Sequence, residues 1–333
     1  MALLASLAAA CAPKPMLPGP ALQVPELEEA SGHFVMADGA RLPLHHWPFH
    51  HWEPTEAGEP EAVLLAVHGF NDYGAFFDDA ASWLSQNSRI MSYAFDQRGF
   101  GDAPNRGRWA GWQSMTDDLA AVVDLLKARH PGKPIYVLGV SMGAAVTLTA
   151  DAHGKLAGVD GLILLAPAVW GRQTWPFYQR WLLGLTSRLV PGMTLTGRGL
   201  NIRPSDNIEM LIRIGQDPKV IKATRVDAIH GLSNLMDEAL ASGPKLRTPL
   251  ALFYGLNDEI IPKGATAQFL SSLENRPETR ITLFPTGWHM LTRDLGAIHV
   301  WKAIRSYIQK PPTPADWEPD ALPQAIETLA RGG

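Results

Sequence analysis

Short apolar runs alternate along the chain with longer segments in which apolar residues recur at helical spacing. Continuous apolar runs are typical of strands that are covered on both faces of a parallel sheet. The first two predicted strands flank Ala37-Asp38-Gly39, which favours the tight turn of an antiparallel hairpin. A helix is predicted at 114–129, where Ser114 and Asp117 resemble a capping pair. The predicted strands lie at 32–36, 41–47, 62–67, 91–95, 136–139, 162–166, 250–254 and 281–284.

Strands that alternate with helices predict an α/β fold with a doubly wound, mostly parallel sheet. The gap between the sixth and seventh predicted strands is far longer than one connection needs, and it is rich in helix formers and aromatic residues. A helical cap is therefore predicted at 169–244, over the carboxyl ends of the strands. Most of its aromatic side chains should pack against the body, and a minority should line an apolar pocket. The core then comprises 28–168 and 245–310, and 311–333 forms a C-terminal tail.

The composition excludes several classes of protein. With 333 residues, 46% of them hydrophobic, the chain is long and apolar enough to bury a large core. Its 29 basic and 33 acidic residues give a net charge of −4 without a basic run, so nucleic acid is not expected as a partner. No apolar stretch reaches the roughly 18 to 20 residues of a transmembrane helix.

The only cysteine of the sequence, Cys11, follows the short apolar segment MALLASLAAA and precedes a Pro-rich stretch. A single cysteine excludes an internal disulfide. The order of these segments resembles a bacterial lipoprotein signal, in which the cysteine becomes the lipidated first residue of the mature chain. Residues 1–27 are accordingly interpreted as a signal and linker, and Cys11 would anchor the protein to a membrane of the cell envelope. The alternative is a frayed N-terminus in a cytoplasmic protein.

A candidate nucleophile follows the predicted strand at 136–139. The sequence Gly139-Val140-Ser141-Met142-Gly143 has the pattern of a nucleophile elbow, a sharp turn that exposes the serine hydroxyl at the end of a strand. The turn leaves no room for side chains at the two flanking positions, so both must be glycine. Small residues then continue into a predicted helix at 144–150.

A serine hydroxyl becomes a good nucleophile only when a histidine accepts its proton and a carboxylate holds that histidine. In the chain order Ser, Asp, His, the acid and the base follow the last two strands of the core. Asp258 and His289 occupy these positions, and Ser141, Asp258 and His289 form the candidate triad. The competing residues fall in helical patterns, where solvated or capping roles are expected; they are Asp227, Asp237, His230 and His299.

Acyl transfer also needs hydrogen-bond donors for the developing oxyanion. Gly69 follows a predicted strand and lets the backbone turn, so that the amide of Phe70 can face the site. The amide of Met142, at the start of the helix after the serine, is the second candidate donor. His68 lies directly on the strand end, where a structural hydrogen-bonding role is expected.

Four histidines near the N-terminus, His45, His46, His50 and His51, raise the question of a metal site. Sequential neighbours such as His45 and His46 point to opposite faces of a strand. No Cys or clustered carboxylate completes a recognisable ligand spacing. A metal site is therefore not expected, and hydrolysis through an acyl-enzyme on Ser141 requires no cofactor.

Five stretches match one family. They are His68-Gly69-Phe70, Asp96-Gln97-Arg98-Gly99-Phe100-Gly101, the Ser141 elbow, Tyr254-Gly255-Leu256-Asn257-Asp258-Glu259-Ile260-Ile261-Pro262 and Gly287-Trp288-His289-Met290-Leu291. In these stretches the chain resembles the monoacylglycerol lipase and lysophospholipase branch of the α/β-hydrolase superfamily, with a hydrolase domain of the serine aminopeptidase S33 type. The resemblance implies the α/β-hydrolase fold with a cap inserted after the sixth strand.

The same resemblance implies that Ser141, Asp258 and His289 are the triad and that Phe70 and Met142 supply the oxyanion amides. Two positions depart from the usual pattern of the branch, since Phe100 stands where His is common and Ala103 where Ser is common. Asp217-Pro218 in the predicted cap also echoes the branch.

The leading hypothesis is a serine hydrolase that cleaves carboxylic esters of apolar acyl chains through an acyl-enzyme on Ser141. Its substrate would be a small lipid or ester of the monoacylglycerol or lysophospholipid type. Alternatives within the fold are a peptidase or amidase for small substrates and a short-chain esterase. Another class of protein, a membrane-anchored lipid-binding protein without turnover, keeps the fold but does not need the triad. Enzymes of the fold that use an Asp nucleophile are disfavoured by Ser141, and the oligomeric state is left open.

Overall fold

The computed structural model describes residues 15–16, 18–49, 59–197, 199–273, 278–309 and 320–332. Its strands are β1 (Glu26–Glu28), β2 (His33–Val35), β3 (Arg41–Trp47), β4 (Ala62–Val67), β5 (Ile90–Phe95), β6 (Ile135–Val140), β7 (Gly161–Leu165), β8 (Thr194–Thr196), β9 (Ala223–Arg225), β10 (Leu250–Gly255) and β11 (Arg280–Phe284). Within the described ranges, nine of these strands form one sheet in the order β1-β2-β3-β5-β4-β6-β7-β10-β11. The six strands from β5 to β11 in that order pair in parallel, and β1 to β3 form an antiparallel edge.

Helices cover both faces of this sheet. The α-helices of the described residues are α1 (Asp78–Asn87), α2 (Trp112–Arg129), α3 (Met142–Ala152), α4 (Phe177–Leu189), α5 (Ile208–Gln216), α6 (Val226–Leu240), α7 (Lys263–Ser271), α8 (Ala297–Ile308) and α9 (Leu322–Arg331). Alternate residues of a strand point to opposite faces, so Leu65 packs into one apolar core with α2, α3 and α7. Its neighbour Leu64 packs into a second core with α1 and α8. The predicted doubly wound, mostly parallel α/β fold is confirmed.

The hairpin predicted at Asp38-Gly39 joins β2 and β3, and Gly39 adopts the left-handed backbone conformation of a tight turn. The sequence pattern missed β1, a strand of three residues without a buried side chain. Because β1 precedes the predicted strands, the long insertion follows the seventh strand of the chain rather than the sixth. The predicted capping pair is wrong, because α2 begins at Trp112 and Ser114 lies buried within its first turn.

The insertion between β7 and β10 contains α4, α5 and α6 together with a two-stranded ribbon of β8 and β9 that the helical prediction did not include. The last of these helices, α6, buries Leu235 and Ala239 in the core. By contrast, the structure describes α4 along its whole length, and Ser187 is the only fully buried residue in it. One end of the insertion is therefore part of the body, while α4 stands largely in solvent.

Part of the segment predicted as a C-terminal tail forms α9, which packs Ala325 and Leu329 into the core without exposing either side chain. The helical spacing of these apolar residues was the signal available in the sequence. Among the described helices, none combines the length and the apolar composition that a membrane crossing requires.

Candidate active site

Ser141 lies between β6 and α3 in a strained backbone conformation, with φ 52° and ψ −113°. Its amide donates a hydrogen bond to the Leu165 carbonyl over 2.9 Å, which fixes the turn to the neighbouring strand. A Cβ at Gly139 would lie 2.5 Å from the Ala144 nitrogen, and a Cβ at Gly143 would collide with the Val67 carbonyl. The expectation that both flanking positions require glycine is confirmed. The elbow leaves the Ser141 hydroxyl at the carboxyl end of the sheet.

Asp258 and His289 lie on two loops that meet at the same edge of the sheet. Asp258 Oδ2 accepts a hydrogen bond from His289 Nδ1 over 2.8 Å, and both residues are buried. The other carboxylate oxygen accepts from the amides of Ile260 and Ile261 over 2.7 and 3.0 Å. Because the carboxylate only accepts, His289 carries its proton on Nδ1, and Nε2 remains to accept another.

The two loops can approach because Gly255 has no side chain. A Cβ at Gly255 would collide with the backbone of Gly287. The amide of Asn257 donates to the Gly287 carbonyl over 2.9 Å, which ties the acid loop to the histidine loop. The distance between Asp258 and His289 is thus set by backbone contacts and not by the two side chains alone.

Both candidate oxyanion amides lie next to the serine. Gly69 approaches Ser141 so closely that a Cβ on Gly69 would be 3.5 Å from the serine Cβ. Neither the Phe70 amide nor the Met142 amide donates a hydrogen bond to another residue in the part of the chain that the structure describes. Phe100, one of the two departures from the family pattern, packs its ring edge-on against Phe70 and thereby supports this turn.

His68 has the structural role that its position predicts. Its Nδ1 donates to the Gly69 carbonyl over 2.8 Å, and its Nε2 accepts from the Gln97 amide over 3.0 Å. Complete burial lowers the pKa of His68 to about 4, against the opposing effect of the nearby Asp96 carboxylate. A neutral ring with both nitrogens engaged cannot serve as a catalytic base.

The competing candidates of the sequence lie elsewhere. Asp227 pairs with Arg225 over 2.5 Å, and Asp237 pairs with Arg172 over 2.6 Å. His230 lies in α6 and His299 in α8. All four residues are described, and none of them lines the cavity that holds Ser141 and His289.

The N-terminal histidines are engaged separately. His45 Nε2 donates to Asp96 over 2.8 Å, whereas the His46 ring stacks on Tyr93. His50, His51 and the proposed lipidation site Cys11 lie outside the described residues. Within the described residues, no group of three or more His, Cys, Asp or Glu side chains is arranged to hold a metal ion.

Ser141, His289 and Phe70 line one cavity of about 480 Å³ between the body and the insertion. A volume of this size is within the range of small-molecule binding sites. The remaining walls are largely apolar, and the insertion supplies many of them. Its contributions are Trp170, Trp175, Pro204, Leu211, Ile214, Val220, Ile229, Leu232, Ser233 and Met236.

The aromatic side chains of the insertion divide differently from the expectation. Trp170 and Trp175 line the cavity, as predicted for a minority. The prediction that most of the others pack against the body is wrong, because Phe177 is 76% exposed and Trp181 is 66% exposed. Both belong to α4, among whose described residues Ser187 alone is fully buried.

Asp72 is a site residue that sequence reasoning missed. It lines the cavity and is 7% exposed, with Arg293 Nη1 at 4.0 Å from its Oδ2. Burial raises the pKa of Asp72 to about 6, although the Tyr73 amide and Arg293 act in the opposite direction. The only signal in the sequence was its position two residues after Phe70, and an acidic residue in a loop is usually solvated.

Comparison with known proteins places this geometry in context. Residues 58–296 match the family model described as serine aminopeptidase, S33. Monoglyceride lipase of Mus musculus is 26% identical over 269 residues, which is 79% of this chain and 84% of the mouse protein. Phospholipase YtpA of Bacillus subtilis is 24% identical over 230 residues, with 62% of this chain and 80% of that protein covered.

Solved structures show the same fold. A soluble variant of monoglyceride lipase from Saccharomyces cerevisiae, in complex with a substrate analog, superimposes with a TM-score of 0.71 at 20% identity, covering 90% of this chain and 100% of that chain. The monoacylglycerol lipase of Paleococcus ferrophilus gives a TM-score of 0.65 at 19% identity, covering 88% of this chain and 99% of that chain.

Proposed function

Because the chain belongs to the serine aminopeptidase S33 family of α/β-hydrolases, we propose that it is a serine hydrolase that cleaves carboxylic esters of apolar acyl chains, of the monoacylglycerol or lysophospholipid type. One observation carries this proposal. Ser141, at a strained elbow, shares a largely apolar cavity with a histidine that is hydrogen-bonded to a buried aspartate.

The proposed reaction proceeds in two halves through an acyl-enzyme. Ser141 Oγ attacks the ester carbonyl while His289 Nε2 accepts the hydroxyl proton, and Asp258 stabilises the resulting imidazolium. The electron pair of the carbonyl moves to its oxygen, which the amides of Phe70 and Met142 bind as an oxyanion. When the tetrahedral intermediate collapses, the ester C–O bond breaks and His289 returns the proton to the departing alcohol. Water then repeats the sequence on the acyl-enzyme and releases the acid.

The cavity walls support an apolar acyl chain as the substrate group. Side chains of the insertion such as Leu211 and Ile214 line the cavity from α5, while Ile208 and Ile212 of the same helix are exposed. One helix thus connects the lining of the site to an apolar outer surface. A substrate that arrives from a lipid phase would meet apolar side chains both on the outer surface of α5 and in the cavity.

A second candidate, a small-substrate aminopeptidase, is supported by Asp72. A carboxylate in the cavity could bind the free ammonium of a peptide substrate, since the two charges attract. Burial without a close ion pair makes the charged form of Asp72 costly, which favours the ester substrate. A short-chain esterase would use the same triad, and its small substrate would fill only part of the cavity.

A hydrolysis screen of the purified protein tests these alternatives. The substrates are monoacylglycerols, lysophospholipids, short p-nitrophenyl esters and aminoacyl amides, with Ser141→Ala as the matched control. Release of fatty acid from monoacylglycerol or lysophospholipid supports the proposal. Exclusive cleavage of aminoacyl amides would favour the aminopeptidase. Turnover of no substrate, together with tight binding of fatty acid, would favour a lipid-binding protein.

We also propose that Cys11 anchors the protein to a membrane of the cell envelope. The support is the apolar segment before Cys11 and the Pro-rich stretch after it. Several acyl chains on one cysteine attach a protein stably, whereas one chain gives only marginal binding. Expression in a bacterial host from a start that supplies a basic leader should give a membrane-bound form, which Cys11→Ser releases. If both forms are in the soluble fraction and retain Met1, the cytoplasmic alternative holds.

A further inference from the structure

A segment of the insertion is bound to the loop that carries one of the proposed oxyanion amides. We call residues 69–74 the oxyanion loop and residues 217–224, between α5 and the end of β9, the cap strap. Two hydrogen bonds join them at Asn71, whose carbonyl accepts from the Ile221 amide over 2.9 Å and whose Nδ2 donates to Thr224 Oγ1 over 2.7 Å. A third is donated by the Tyr73 hydroxyl to Asp217 Oδ2 over 2.8 Å.

Asn71 directly follows Phe70 and adopts a left-handed conformation with φ 65°, which a residue other than glycine rarely occupies. Such a conformation persists only where surrounding contacts hold it. Asn71 makes hydrogen bonds through its carbonyl and its side-chain amide, and both bonds are to the cap strap. The contacts of the cap strap therefore act one residue away from the proposed oxyanion donor.

The body holds the oxyanion loop at its far end. Asp96 Oδ1 accepts from the Gly74 amide over 2.8 Å and from His45 Nε2 over 2.8 Å. Tyr73 packs so closely on Gly101 that a Cβ there would lie 2.7 Å from the tyrosine Cβ. Gly69 lies beside the serine, and the Gly74 amide is bound to Asp96. Between these two residues, Asn71 and the Tyr73 side chain are held by hydrogen bonds to the insertion.

The Asp217-Pro218 pair noted in the sequence has a structural explanation here. Asp217 Oδ1 accepts from the Lys219 amide over 2.8 Å, so that Oδ2 faces Tyr73. Burial acts to raise the pKa of Asp217, but the hydrogen bonds from Lys219 and Tyr73 hold that pKa below its usual value. Arg106 donates to the Pro218 carbonyl and Lys219 pairs with Asp102 over 2.5 Å, which ties the strap to the loop after β5 as well.

We propose that the cap strap positions the oxyanion loop, and that Tyr73, Asp217 and Thr224 are positioning residues for the proposed ester hydrolysis. The inference rests on that proposed function. None of the three side chains acts on the substrate directly. Thr224 acts through Asn71, and Asp217 acts through the Tyr73 side chain, so that these contacts together fix the direction of the Phe70 amide. A cap displaced from the body leaves the oxyanion site incomplete.

Two substitutions on opposite sides of the contact test the proposal. Tyr73→Phe removes the hydroxyl and keeps the ring, and Thr224→Val removes the side-chain oxygen and keeps the shape. Tyr93→Phe is the matched control, because the Tyr93 hydroxyl makes a hydrogen bond of the same length, 2.8 Å, to His130 Nε2 away from the site. Active sites are titrated with a fluorophosphonate, so that rates refer to folded enzyme only.

We expect each of the two variants to lower kcat by about tenfold and to leave KM nearly unchanged, because the oxyanion amides act in the transition state. Affinity for an alkyl trifluoromethyl ketone should fall by the same factor. Ser141 Oγ adds to the ketone carbonyl of this inhibitor while His289 Nε2 accepts the hydroxyl proton, and the carbonyl electron pair moves to its oxygen, which the two amides bind as an oxyanion. Amide hydrogen exchange of the peptide covering 69–77 should accelerate in both variants. The Tyr93→Phe control should match wild type in all three measurements.

If kcat, inhibitor affinity and hydrogen exchange in both variants equal the wild-type values, the positioning role is overturned and the proposed function is unaffected. A lower melting temperature with an unchanged kcat per titrated site would show that the contacts serve stability alone. This result would also overturn the positioning role. If one variant fails to fold, the other decides, because it removes a different hydrogen bond. If wild type takes up no fluorophosphonate at Ser141, the proposed function fails, and hydrogen exchange still decides whether the strap restrains the loop.

Discussion

Asp72→Asn should raise the stability of the protein at neutral pH. In the folded chain, burial raises the pKa of Asp72 from 3.8 to about 6, so the folded state favours the protonated acid more than the unfolded state does. Between about pH 4 and pH 6 the folded protein therefore binds more protons, and its stability falls as the pH rises. A difference of about two pKa units corresponds to at most about 3 kcal/mol. Asparagine removes this cost and can still accept from the Tyr73 amide.

The assay is urea unfolding of both proteins at pH 4.5 and at pH 7.5. The variant should exceed wild type by up to about 3 kcal/mol at the higher pH and by much less at the lower pH. Burial also raises the pKa of Asp294 to about 6. Asp294 is present in both proteins, so its effect on stability cancels in the comparison. Asp124→Asn, an exposed position of α2, provides the control and should track wild type at both values. A variant that is less stable than wild type at pH 7.5, or a difference that does not depend on pH, would refute the reasoning.

Three further predictions concern catalysis. Ser141→Ala should abolish ester hydrolysis and fluorophosphonate labelling without lowering the melting temperature, because only Oγ is lost; labelling that persists at another serine would contradict the assignment. Asp258→Asn should lower kcat by about four orders of magnitude, since an amide presents the wrong partner to His289 Nδ1. Near-normal kcat in that variant would point to another acid, with Glu259 the first to test. The value of kcat/KM should rise up to about fourfold per added acyl methylene until the cavity is full. A flat profile from acetyl to decanoyl esters would favour the short-chain esterase.

The sequence by itself determined the features that depend on local order. Apolar runs predicted the parallel strands, and the position of a residue just after a strand places it at the carboxyl edge of the sheet. Ser141, Asp258 and His289 could be selected on this ground, because each follows a different strand of the same parallel sheet. The glycines beside the serine were predictable for the same reason, since the elbow is a local turn with its own steric rule.

The tertiary structure alone decided what depends on partners distant in the chain. Burial turns Asp72 from an ordinary loop acid into a cavity residue, and exposure leaves Trp181 outside the packing predicted for it. The strand β1 is too short for a pattern and exists through its pairing with β2. Tyr73 meets Asp217 across 144 positions of sequence. Periodicity reports which face of an element is apolar, but it contains no information on which other element covers that face or which polar atom lies opposite.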